Sequence, residues 1–258
     1  MAEPASPLAF ELPLNDQIRT FLRLEFLFAQ AAHHKADASA WGRRQHIAAL
    51  LDVLQLLSRS DVRTEVCKVL SEHSAKLERL RDKPGVDMQR LPTFLDALHS
   101  LSEALMPLQA QFAGNLLRDS EFLTAIVNRS AVPGGTVGFD LPAYHLWLHL
   151  PAAQQEAHLA LWSKHLDLYK QGISYALMLI RQSATPTAEV AQAGSYSRQL
   201  HHSCQMLRVF LPVEQRIYPE ISAGKHRCNI RFLRQDADNP RGAQVQEDVN
   251  FQLVCCML

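Results

Sequence analysis

The chain has 258 residues, 47% of them apolar and 20% charged, with 26 basic and 26 acidic side chains and a formal net charge of zero. That length suits one large domain or two small ones and buries a core without staples. The zero balance argues against broad nucleic-acid binding, which draws on a basic excess, and no apolar run approaches the ~18 residues that span a bilayer.

The first stretch, MAEPASPLAFELPLND, is acidic and proline-spaced and lacks the basic start of a secretion signal, so the sequence places the protein in the cytosol. Asn15 is a fitting N-cap for a helix over DQIRTFLRLEFLFAQAA, where Ile18, Phe21, Leu22, Leu24, Leu27 and Phe28 form an apolar face. A second helix carries Ile47, Leu50, Leu51, Leu54 and Leu57. Ser60 caps a third, with Val66, Val69, Leu70, Leu77 and Leu80 inward, which Pro84 and Gly85 end. DMQRLPTFLDALHSLSEAL repeats the pattern through Leu91, Leu95, Leu98 and Leu105, and a short helix follows around DSEFLTAIVNR.

At Val132 the texture changes. AVPGGTVGFDLP reads as a turn and a short strand, with Gly134 and Gly135 supplying positive φ. PGGTVG matches neither phosphate-loop pattern. His145 and His149, four residues apart, resemble half of a zinc-protease motif, but Leu146 stands where the base would be and no third ligand is indicated. A metal-dependent or histidine-based enzyme using this pair is therefore the alternative reading, and packed histidines the simpler one. After Pro151, a good helix start, the chain is helical again, with Gly172 marking a break or a close contact. ATPTAEVAQAG reads as a flexible loop. Beyond it CQMLRVFLP, HRCNIRFL and DVNFQLVCC take up the period of strands. Helices first and strands later is an α+β arrangement, a larger N-terminal helical domain (15–131 and 152–183) with a smaller antiparallel β-sheet domain (132–151 and 195–257). The five cysteines are odd in number, form no C-x-x-C and suit a reducing compartment as sheet residues rather than a zinc site.

Nineteen arginines against seven lysines make the placement of guanidinium groups informative. Arg19 and Arg23 stand four apart on one helix face, where like charges cost a few tenths of a kcal/mol unless solvated or met by an anion, with Asp16 relieving part of this. In AGKHRCNIRFL, strand alternation sends Cys228, Ile230 and Phe232 to one face and Lys225, Arg227, Asn229 and Arg231 to the other. That row is either the defence of an edge strand or a surface for an acidic peptide, whose backbone Asn229 can bond.

Taken together, PLNDQIRTFLRLEFL, DVRTEV, KPGVD, VPGGTVGFDLPAYHLWLHLP, LIRQSA, YPEISAGKHRCNIRFL and VNFQLVCC, in this order from about Leu8 to Cys256, resemble the ZapD family, the Z-ring-associated proteins D of bacterial cell division. The resemblance implies a non-enzymatic homodimer without cofactor, metal, nucleic-acid or membrane binding. It would bind the C-terminal tail of the tubulin-like GTPase FtsZ and bundle its filaments at the midcell ring. It also implies a basic pocket made of Arg19, Arg23, Arg118, His145, Lys225, Arg227 and Arg231. At Glu121 the chain departs from the pattern, since other members can be basic there.

Overall fold

The computed structural model describes residues 7–79, 81, 90–224, 226–235 and 242–257. In chain order these form β1 (Leu8–Pro13), α1 (Asp16–Lys35), α2 (Ala40–Ser58), α3 (Val62–Glu78), α4 (Arg90–Leu105), α5 (Phe112–Asp119), α6 (Glu121–Ser130), α7 (Pro142–Trp147), α8 (Ala152–Trp162), α9 (Leu166–Arg181), β2 (Thr187–Ala191), β3 (Ser195–Gln199), β4 (Cys204–Leu211), β5 (Ile217–Ala223), β6 (Arg227–Arg234), β7 (Ala243–Gln244) and β8 (Val249–Met257). This is the α+β class that the sequence implies. Contacts divide the chain into two compact units, Thr20–Ala176 and Met1–Arg19 with Leu177–Leu258.

The helical unit is built on the apolar stripes read from the sequence. Phe21 and Leu24 of α1, Ile47, Leu51 and Leu54 of α2, Val66 and Leu70 of α3, Leu98 and Leu105 of α4 and Leu123 of α6 are all buried. Each large aliphatic chain removed from water contributes about 1.5–3 kcal/mol. Local capping starts the helices. The Asn15 carboxamide oxygen accepts from the Ile18 amide at 2.8 Å, Ser39 caps α2 through Gly42 N–H, and Ser120 caps α6 through Leu123 N–H. For α3 the cap is Asp61 rather than Ser60, its carboxylate accepting from Thr64 N–H. An acid there also meets the positive end of the helix dipole. Pro84 and Gly85, expected to end that helix, lie outside the described residues, as does Leu80. Gly172 does not break α9. A Cβ there would come within 2.7 Å of Val66 Cγ1, so the glycine permits close packing of α9 on α3.

Residues 132–151 contain no strand. They fold as turns followed by α7 and fall within the Thr20–Ala176 unit, where the sequence reading grouped them with the sheet. Gly134 takes φ +71°, as its turn requires, but Gly135 has a different reason: a Cβ there would lie 2.4 Å from the Arg129 carbonyl oxygen. Arg44 of α2 holds the turn, donating to the Thr136 carbonyl at 2.9 Å while its guanidinium lies 5.0 Å from the Tyr144 ring and 5.7 Å from that of Trp41. Burial pushes the Tyr144 phenol up to about 12 although Arg44 opposes it. Trp147 donates its indole N–H to His158 Nδ1 at 3.0 Å and lies against Trp162, which stacks on Phe122. The stretch is a packed structural joint of the helical unit.

The second unit holds two antiparallel sheets, β1-β4-β8-β2 and β3-β6-β5, with β7 pairing β6. Alternation drives their packing: Leu207, Val209, Phe251 and Leu253 of the first sheet share one core with Cys228, Ile230 and Phe232 of the second. On the other face of the first sheet Glu11 of β1 sits opposite Arg208 of β4. It accepts from Arg208 Nε at 2.8 Å and from Arg181 Nε and Nη2 at 2.9 and 2.8 Å. The stretch expected as a loop after Ala184 contributes β2, an edge strand with only Ala191 buried.

Candidate protein-binding surface

Four of the seven candidate residues stand in pairs on regular elements. Arg19 and Arg23 lie one turn apart on α1. Arg19 is ion-paired to Asp16, both on the surface. Arg23 is exposed and has no ion pair among the described residues. Phe26 continues the same stripe at i+3 from Arg23 and is 67% exposed, an aromatic ring left in water one turn from Arg23. It lies outside the inward apolar phase of α1, which Ile18, Phe21 and Leu24 occupy. The signal was its 3.6-residue phase, shared with Arg19 and Arg23.

Arg227, Asn229 and Arg231 face outward from β6, while the alternating Cys228, Ile230 and Phe232 are fully buried. The strand is central: β3 pairs along one side and β5 along the other. Defence of an open edge therefore does not account for these arginines. Their neighbours on the outer face are small or polar. Gln199, Ser197 and Ser195 stand opposite Arg227, Asn229 and Arg231 on β3, and Ser222 and Glu220 stand opposite Asn229 and Arg231 on β5. The Glu220 carboxylate accepts from Arg231 at 2.6 Å across the strands, a partner that the sequence could not show without the register. Arg227 has no ion pair among the described residues. Lys225 lies outside the described residues.

The remaining two candidates stand on separate helices of the helical unit. Arg118, in the last turn of α5, donates to Asn115 Oδ1 at 2.9 Å and to Asp119 Oδ1 at 3.2 Å and is largely solvated. His145, on α7, is exposed, and Gly138 leaves room for its ring. Its carbonyl contacts His149 Nδ1 at 2.8 Å, and the two rings lie 4.6 Å apart. Among the described residues no three His, Cys, Asp or Glu side chains gather as metal ligands. Glu121 is exposed in the first turn of α6, where the helix dipole favours an acid. No helix among the described residues is long and apolar enough to cross a membrane.

Each arginine face by itself, with an exposed phenyl ring on α1 and small polar side chains around the β6 row, offers groups that suit an acidic polypeptide. Comparison with known proteins gives the class to which such a surface belongs here, that of cell-division proteins. A family model described as "ZapD: Cell division protein" matches residues 22–231. Relatives described as "Cell division protein ZapD" are 34% identical over 253 residues in Methylococcus capsulatus, covering 97% of this chain and 98% of the relative. The corresponding figures are 35% over 257 residues in Coxiella burnetii, covering 98% and 99%, and 36% over 251 residues in Klebsiella pneumoniae, covering 97% and 99%. The chain belongs to the ZapD family of cell-division proteins.

Proposed function

We propose that this protein is a non-enzymatic adaptor of the cytoplasmic division ring that binds the C-terminal tail of FtsZ through its arginine faces and, as a homodimer, crosslinks and bundles FtsZ filaments at midcell. The observation that carries the reading is the outward arginine row on β6, placed on a central strand where no edge needs guarding. Arg19 and Arg23 on α1, with Arg118, His145 and Lys225, are the further basic groups that the proposal assigns to the tail, and Phe26 is its apolar contact. One exposed ion pair contributes only about 0–1 kcal/mol. Several around a partly desolvated peptide reach micromolar affinity, on the order of −8 kcal/mol. Weak single contacts suit a crosslinker, because a two-site dimer on a polymer gains strength by avidity while each contact stays exchangeable.

Co-sedimentation with FtsZ filaments tests the proposal. Charge reversal at Arg23 or at Arg231 abolishes it with the fold intact, and raising the salt weakens the wild-type interaction. Unchanged bundling by both variants would refute the site.

A further inference from the structure

Away from these faces the helical unit contains a cavity of about 410 Å³ between α1, α2, α8 and α9, within the range of about 300–1,000 Å³ common for small-molecule sites. Phe28, Leu50 and Leu159 give it an apolar lining. Lys35, Lys164 and Lys170 also line it, and these are three of the seven lysines in the whole chain. All three are exposed residues, so their aliphatic stems cover apolar surface while their ammonium groups stand in water at the rim. None of them makes an ion pair among the described residues.

The lining offers only Glu156 and Asp167 as counter-charges, and Glu156 is already taken by Arg43. The three lysines therefore outnumber Asp167, the other carboxylate of the lining. Arg43 is not among the lining residues, and its charge is matched by Glu156. Its side chain is only 3% exposed, and its Nε and Nη1 are buried with no hydrogen-bond partner. It lies one turn before His46, another lining residue. The lining itself therefore carries three cations against one uncommitted carboxylate. We propose that the cavity binds a medium-chain alkyl carboxylate, its chain against Phe28, Leu50 and Leu159 and its carboxylate among Lys35, Lys164 and Lys170. The apolar lining disfavours a bare inorganic anion, and the unpaired lysines disfavour a neutral hydrocarbon. This proposal does not depend on filament binding.

Isothermal titration of the full-length protein with decanoate, below the concentration at which the probe self-associates, tests it. The expected result is saturable binding at one site per chain, with decanol about tenfold weaker. Ala160 lines the cavity but is exposed, so Ala160→Phe blocks the space without entering the core, and it weakens decanoate at least about tenfold. Lys164→Glu combined with Lys170→Glu weakens it about tenfold as well, each rim charge being modest on its own. Circular dichroism confirms that each variant is folded. Absence of saturable binding, equal binding of decanol, or undiminished binding by Ala160→Phe each overturns the proposal.

Discussion

The two faces of the sheet unit use arginine in opposite ways. Around Glu11, Arg181 and Arg208 are mostly buried, at 25% and 18% exposure, and converge on one carboxylate from different elements. On the outer face of β6, among the described residues, Arg231 is 61% exposed with one ion-pair partner, Glu220, and Arg227 has none. The same side chain is thus a structural tie where its charge is enclosed and remains accessible to solvent and to any partner where it is not. The difference follows from desolvation: removing one partner of an enclosed pair strands a charge, whereas an exposed guanidinium loses almost nothing when altered. The helical unit repeats the contrast, with Arg43 buried against Glu156 and Arg23 exposed on α1.

The largest expected effect breaks the enclosed side of this contrast. Glu11→Ala leaves Arg181 and Arg208 facing each other and lowers unfolding stability by about 3 kcal/mol, measured by urea denaturation. Acid should do the same more gently. Burial raises the Glu11 carboxyl, but Arg181 and then Arg208 outweigh it and hold the folded value below the ordinary 4.5. A carboxyl lowered on folding gives stability that is fully present above its unfolded value and is lost as pH falls through the lower folded one. Stability measured downward from pH 5 should therefore fall less steeply in Glu11→Gln than in the wild type; equal slopes would remove Glu11 from the account. Next comes the exposed side. Arg227→Glu should weaken binding of an FtsZ tail peptide at least about tenfold, read by fluorescence anisotropy, while shifting stability by no more than about 0.5 kcal/mol. A smaller loss, about fivefold, is expected for Phe26→Ala, with the salt dependence of binding unchanged because only an apolar contact is removed. The smallest effect is a gain: Glu220→Gln frees Arg231 from its cross-strand partner and strengthens peptide binding about twofold.

Much of the scaffold was legible because its periods are long and its apolar residues large. The alternation in β6 assigned every residue from Arg227 to Phe232 to its observed face, and the stripe from Ile18 to Phe28 located the buried side of α1. What was hidden lies where local pattern carries little information. β2 is an edge strand of small and polar residues, so TAEVA shows no apolar alternation. The turn at Gly134 and Gly135 is held by Arg44 from a distant helix, a contact that no local window contains. At the candidate surface the arginines were visible one by one, but Glu220 opposite Arg231 emerged only from strand register. Phe26 needed the helical phase to be read outward as well as inward.

The claim on which the rest depends is that the α1 and β6 arginine faces bind one and the same tail. Hydrogen–deuterium exchange with the FtsZ C-terminal peptide measures this directly, by changes in amide protection at the two elements when peptide is added. The account predicts peptide-dependent protection in both segments 19–26 and 227–231 at the same peptide concentration, lost together in Arg23→Glu. Protection confined to one segment, or appearing only elsewhere in the chain, would contradict it.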